Sequence, residues 1–501
     1  MSLEPFDYES MADTAAHQTR PPRAAPKRRN VVIDDQHPFD LDAYINQYEG
    51  RAKIKRLRFI AEESEQLAPQ ALQLAVQLLK QTRDIALYQA TVQEYNSRPN
   101  TTAPISLDTA WVDNTGKANL KEKDKLETEL KTYMSNMIKE SIRMGHRDLG
   151  EFFWRIGDYQ QALKHYNKSR EFCSTNPQVL EYALTAIRLL LEFNDYTHIS
   201  TYVYKAEATL AGASTGETSK DAKKAPIPAA GSAAAAAAAA SAGNTDKDKA
   251  MAKLELANAI AYLGTGAYDK AAFAFSKLGR NLDDWLGTVI STSDVAIYGT
   301  LCALASMTRS AIKVNYHEND AFSFYLEQEP YTRELLDAFM NNQFKTVLDV
   351  LERSSNRHFL DVHLSRHVPV LMNEIKKRTL HLYFQPFTSV QLEKMGQAFG
   401  LSVTEMEKMA VELIQEGRIK ARVDSTNKIL RAKTTDPRTE LYQRATKAAT
   451  QTQKTTEKLL LRMKLEQANL IVKAPRLPER AGTGGPLQQS AFAADFYASG
   501  S

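Results

Sequence analysis

His363 and His367 stand four residues apart, so on a helix they would share one face and could hold a metal, with His358 close by. A zinc protease would read His-Glu-x-x-His, but Leu364 stands where the glutamate base belongs. No two of the ten histidines are separated by a single residue, which also removes a His-x-His ligand pair. Gly212-Ala213-Ser214-Thr215-Gly216 has the spacing of a nucleophile elbow, which needs a strand before it and a helix after it. Here it lies in low-complexity sequence. No Gly-x-x-x-x-Gly-Lys loop occurs to cradle a phosphate. The expectation is a chain with no catalytic residues, no metal and no cofactor, and so not an enzyme.

The stronger signal is for binding. Arg418, Lys420, Arg422, Lys428, Arg431 and Lys433 stand against one acid, Asp424. The apolar positions between them, Ile419, Ala421 and Val423, alternate with period two, and Asp424-Ser425-Thr426-Asn427 turns the chain into Lys428-Ile429-Leu430. A basic hairpin of this kind is either a wing that touches phosphates or an edge protected by charge. The elements before it decide between the two. Thr388 with Gln391 and Ser402 with Glu405 read as capping boxes that open two apolar-periodic helices, and Gly417 suits the end of the second. Residues 386–433 are therefore expected to form a winged helix. Its second helix carries Glu405, Glu407 and Glu412 where a DNA reader would present basic or amide side chains. That disfavours nucleic acid.

Upstream the chain is almost free of strand patterning. Residues 1–37 read as a disordered basic tail in which Lys27-Arg28-Arg29 could serve nuclear import. Helices are expected from Phe39 onward, with a loop over 96–118. Gly157-Asp158-Tyr159, Asn194-Asp195-Tyr196 and Gly266-Ala267-Tyr268 repeat a small residue, a turn and an aromatic, the first and third with alanine three positions on (Ala162, Ala271). This is the signature of tetratricopeptide-like helical hairpins, in which the small residue lets helices cross closely. Residues 212–248, with eight consecutive alanines at 233–240, are expected to be a disordered insertion because they offer little to bury. After the hairpin, 437–473 reads as a long amphipathic helix bearing Leu459, Leu460, Met463 and Leu470, and residues from 474 as a disordered tail.

The fold class is thus mostly α: a helical-repeat α-solenoid (38–320), a second domain (321–436) ending in the winged helix with its small β-hairpin, and a C-terminal helix. A net charge of +4 over 501 residues is too small to mark a nucleic-acid binder. Two cysteines, Cys173 and Cys302, provide no disulfide framework, and no apolar run is long enough for a membrane helix. The expected setting is the cytoplasm and nucleus.

Solenoid, winged helix and terminal helix follow one another in the PCI-domain family, and the local strings go further. Phe39-Asp-Leu-Asp-Ala-Tyr44, Ile54-Lys-Arg-Leu-Arg-Phe-Ile-Ala61, Leu149-Gly-Glu-Phe-Phe-Trp-Arg-Ile-Gly-Asp-Tyr159 and Tyr383-Phe-Gln-Pro-Phe387 resemble the subunit 1 branch of the constitutive photomorphogenesis (COP) signalosome. The sister branch in the proteasome lid shares the layout, and a nucleic-acid-binding PCI protein is a further alternative. The resemblance implies a non-catalytic scaffold in a complex that removes the ubiquitin-like Nedd modifier from cullin-RING ligases through a zinc protease on another subunit. Its partners would be other signalosome subunits, met by PCI–PCI contacts and a helical bundle, with neddylated cullin-RING ligases engaged indirectly and no membrane. It also implies an N-terminal solenoid that radiates outward. The residues expected to carry assembly are Arg418, Ile419, Lys420, Arg422, Lys428, Ile429 and Leu430 on the hairpin, and Leu459, Leu460, Met463 and Leu470 on the terminal helix.

Overall fold

The computed structural model describes residues 31–34, 37–98, 104–215, 233–280, 282–433 and 437–470. The import cluster Lys27-Arg28-Arg29 and the tail from 474 lie outside the described residues. The chain divides into two units, residues 1–432 and 433–501.

Four helices open the first unit: α1 (Leu41–Ile45), α2 (Gly50–Glu63), α3 (Ala68–Leu79) and α4 (Ile85–Ser97). Carboxylates of Asp40 and Asp84 accept from free backbone N–H groups at the starts of α1 and α4, and Pro69 occupies the first turn of α3. The next helix, α5 (Thr109–Ser135), begins inside the stretch expected as a loop, because Asp108 caps it at the Trp111 N–H.

Three helical hairpins follow: α6 (Lys139–Ile156) with α7 (Tyr159–Glu171), α8 (Asn176–Phe193) with α9 (Tyr196–Thr215), and α10 (Ala233–Thr265) with α11 (Tyr268–Ser276). The three repeat motifs are the turns inside these hairpins. Gly157, Asn194 and Gly266 adopt φ of +93°, +58° and +82°, the left-handed conformation that ends one helix, and the tyrosine two positions on opens the next. Close crossing is visible at Gly264, where an added Cβ would come within 2.2 Å of the Tyr196 ring. The alanine run, expected to be disordered, is instead the first part of α10. Alanine has the highest helix propensity, and the end of α10 buries Leu254, Leu256, Ala257, Ile260 and Leu263, so packing supplies the nucleus that an isolated run lacks. Residues 216–232 of the expected insertion lie outside the described residues.

Helix α12 (Thr292–Ser306) is buried on nearly every side, with Val295, Ile297, Tyr298, Leu301 and Leu304 in one core with α8 to α11. Beyond it come α13 (Asp320–Leu326), α14 (Pro330–Met340), α15 (Phe344–Arg353), α16 (Ser355–Phe359) and α17 (Val368–Phe384). Strand β1 (Ser389–Gln391), α18 (Leu392–Phe399), α19 (Val403–Gln415), β2 (Ala421–Asp424) and β3 (Ile429–Ala432) complete the winged helix, a three-stranded sheet in the order β1-β3-β2. The second unit contains α20 (Pro437–Gln467).

The N-terminal helices do not simply radiate outward. Tyr44, Tyr48, Leu57 and Ile60 share a core with Leu360, from the far side of the repeats. At that junction Arg56, only 2% exposed, bonds Asp294 at 2.9 Å and Asp361 at 2.7 Å, and Arg357 bonds Asp294 at 3.0 Å. Tyr48 donates to Asp294, Tyr298 donates to Asp361, and the His363 and Leu364 N–H groups also point at Asp361. Two cations thus meet two carboxylates. Burial alone would raise Asp361, but Arg56, with His363 and Arg357, outweighs it and holds the carboxyl well below the usual range.

Candidate assembly surface

The winged helix closes on its own core. Val390, Leu392, Met395, Phe399, Met406, Ala410, Leu413, Ile419, Ala421 and Leu430 pack together with Phe344 and Leu348 of α15 and Leu380 and Phe384 of α17. Helix α19 starts at the expected capping box, Ser402 with Glu405, and Gly417 at φ +72° follows its end. The other expected box is absent. Thr388 and Gln391 border or belong to β1, the Thr388 carbonyl accepts from the Ala432 N–H, and α18 begins only at Leu392 without a side-chain cap. Sheet pairing with β3 has claimed the residues that would have formed that helical turn.

β3 pairs antiparallel with both neighbours: Val390 and Val423 both face Leu430, and Arg422 lies opposite Arg431. Asp424 closes the turn, accepting from the Thr426 and Asn427 N–H groups, and Lys428 takes a left-handed φ of +52°. With β3 in the middle, the outer edge of β2 is an edge of the sheet.

This geometry sorts the expected assembly residues. Ile419 and Leu430 are 4% and 0% exposed, so they shape the hairpin from within and do not present side chains to a neighbour. The alternation that identified the hairpin is the reason: one face of it belongs to the module's own core. Ile429 is half-buried. Arg418 bonds Glu374 at 2.7 Å and Glu416 at 3.0 Å, and Lys428 bonds Glu407 at 2.8 Å, so both charges are matched locally. Lys420, Arg422, Arg431 and Lys433 are exposed. On α20, Leu459, Leu460 and Met463 are 60%, 51% and 68% exposed, and Leu461 at 58% widens the apolar surface; Leu470, expected on the same helix, lies just past its end at Gln467 and is 69% exposed.

The histidines of the candidate metal pair are brought together with the repeat tyrosines. His363 lies in a turn and His367 just before α17, and their Nδ1 atoms meet the hydroxyls of Tyr196 at 2.7 Å and Tyr268 at 3.1 Å. Among the described residues no group of three or more His, Cys, Asp or Glu is placed to hold a metal. Among them, too, no helix is long and apolar enough to cross a membrane. Ser214 of the elbow-like string falls within α9, with no strand before it. Sequence reasoning missed the Arg56 network, whose only signal is a charge set among the apolar positions Ile54, Leu57 and Ile60.

A helical-repeat body ending in a winged helix defines a PCI-domain protein, and residues 327–434 match the PCI domain family, while residues 108–315 match 26S proteasome subunit RPN7. The chain is 33% identical over 441 residues to COP9 signalosome complex subunit 1 of Arabidopsis thaliana, covering 87% of this chain and 92% of that one. It is 30% identical over 496 residues to COP9 signalosome complex subunit 1b of Drosophila melanogaster, covering 89% of each. A 26S proteasome non-ATPase regulatory subunit 6 homolog from Arabidopsis thaliana is more distant, at 18% over 339 residues, covering 68% of this chain and 79% of that one. The chain belongs to the COP9 signalosome subunit 1 family, with the proteasome subunits as a sister group.

Proposed function

We propose that this chain is a non-catalytic scaffold of the signalosome, joined to other subunits through the β2 edge of its winged helix and the apolar residues of α20. In that role it supports removal of the Nedd modifier from cullin-RING ligases, with the chemistry performed by a zinc protease on another subunit. The observation that carries the reading is the exposed row Leu459, Leu460, Met463 and Leu470. Covering each such side chain stabilises an assembly by roughly 1.5–3 kcal/mol, so partner helices have a direct driving force to pack there. A winged-helix edge strand adds a template for sheet continuation. With Arg418 and Lys428 already matched by carboxylates, less basic surface is left for phosphates, which supports protein over nucleic acid as the neighbour. Presence in nucleus and cytoplasm is proposed with the scaffold role.

Replacing Leu460 and Met463 together by Asp tests the reading. The isolated chain is expected to keep its far-ultraviolet circular dichroism, while its recovery with the other signalosome subunits on co-expression drops by roughly a hundredfold, the equivalent of about 3 kcal/mol. Normal recovery of the double variant would overturn it.

A further inference from the structure

Between α2, the start of α4 and the C-terminal end of α8 the first unit contains a cavity of about 360 Å³. No assembly surface described above includes it, and its size falls within the range of small-molecule sites. Much of its wall is apolar, from Ile54, Phe59, Leu87, Phe193 and Val289. The charged groups are distributed unevenly around it.

Most of these charges are already matched. Arg51 bonds Asp84 at 2.9 Å, and the Trp154 indole N–H donates to Glu192 at 2.7 Å. Glu62 has a partner of its own. The two remaining cations differ. Lys55 donates only to neutral acceptors, the carbonyls of Leu191 (3.3 Å) and Glu192 and the Asn194 Oδ1 (2.9 Å), and among the described residues no carboxylate lies within ion-pair distance of it. Arg58 has Glu94 at 3.8 Å, beyond hydrogen-bond range, and its Nε is buried without an acceptor. Three positions apart on α2, Lys55 and Arg58 share a face, and both line the cavity. Burial, with Arg56 beside it, lowers the Lys55 ammonium to about 7, as expected of a cation short of counter-charge.

We propose that this cavity is a binding site for a small organic monoacid, a carboxylate carried on an aryl or alkyl body. The carboxylate accepts from the Arg58 guanidinium and lies beside Lys55, whose long contact to the Leu191 carbonyl is the one most readily exchanged. The apolar body lies against Phe59, Leu87 and Phe193. A single negative charge fits best, because Asp84 matches Arg51 and Asp294 and Asp361 match Arg56, which leaves Lys55 and the loosely paired Arg58, while the Glu192 carboxylate at the same wall opposes a second charge. Since the wall joins α2 to the end of α8 and to His363, the bound acid ties the N-terminal helices to the repeats and raises the melting temperature.

The full-length chain titrated with 3-phenylpropionate and 4-phenylbutyrate, and with their neutral amides, tests the proposal by ligand-observed NMR and thermal unfolding. At least one acid is expected to bind saturably with a Kd below about 1 mM, a modest −4 kcal/mol, and to raise the melting point. Its amide is expected to bind about tenfold or more weakly, since charge-assisted bonds to a guanidinium are the strong ones. Arg58→Gln removes the charge and Thr288→Phe fills the cavity while leaving both cations in place, and both are expected to abolish binding. Saturation by neither acid, equal binding of acid and amide, or parent-like binding by both variants would each overturn it. The melting points of the variants without ligand separate loss of the site from loss of the fold.

Discussion

His358 and His363 are buried against tyrosine hydroxyls, and His146 lies with its Nδ1 3.2 Å from that of His165. Burial, helped by neighbouring Arg357 for His358 and by Lys55 and Arg56 for His363, pushes those two down to about 3, and burial with His165 pushes His146 down to about 4. An unfolded chain binds these protons near pH 6.5. The folded values are depressed, so the stabilisation is complete above about pH 6.5 and is lost progressively as pH falls towards 4 and then 3. From pH 7.5 to 5.5 each of the three costs roughly 1.4 kcal/mol. Asp361, also depressed, is lost only at more acid pH and does not contribute in this window. The urea midpoint should therefore fall between those two pH values, and His363→Gln should flatten the fall by less than a third, because His165, His367, His381 and Lys55, all depressed in the folded chain, add to it. A midpoint that does not move would rule the account out. The sequence shows His363 and His367 as a spaced pair and the repeat tyrosines as turn residues. Only the fold reveals that Tyr196 and Tyr268 are the partners of those histidines, because pairing across the repeats leaves no local pattern.

At the scale of the element, local chemistry was readable wherever one residue type has one use. Gly157, Asn194 and Gly266 marked three hairpin turns, and Ser402 with Glu405 marked the start of α19. The reading failed where a short segment had two uses: Thr388 and Gln391 fit a capping box, yet edge pairing with β3 took them. It failed again for the alanine run, whose helicity depends on packing further along α10. Gly157 allows the sharpest test. Its φ of +93° disfavours any side chain, and an added Cβ would stand 2.1 Å from Asp84 Oδ2, which pairs with Arg51, in a carboxylate whose Oδ1 caps α4. Gly157→Ala is expected to cost about 2 kcal/mol or more, 1–2 from the left-handed backbone and the rest from the displaced Asp84, read as a lower melting temperature. Gly266→Ala has the same backbone conformation with open space at the Cβ and should cost only the backbone part. Equal losses in the two variants would mean that the Asp84 contact is without weight.

For the molecule as a whole, the family matches at 108–315 and 327–434 suggest that a core could be cut out between them, and the buried network argues otherwise. Asp294 and Asp361 lie inside those matched segments, but Arg56, which bonds both, lies outside them. Without Arg56, Arg357 alone faces two buried carboxylates, and breaking a buried pair from one side costs about 3–5 kcal/mol. Leu360 would also lose its packing against the N-terminal helices. A chain of residues 104–433 is therefore expected to lose near-ultraviolet circular dichroism and to bind a hydrophobic dye, the signs of secondary structure without fixed packing. Arg56→Met in the full chain separates the two contributions, because it removes the charge while leaving the N-terminal helices in place. It should lower the unfolding free energy by about 3–5 kcal/mol but keep a cooperative transition. A 104–433 fragment that melted like the full chain would show that the N-terminal helices are an appendage; loss of packing in the fragment, with a weakened but cooperative Arg56→Met, would show that they complete the core around Asp294, Asp361 and Leu360.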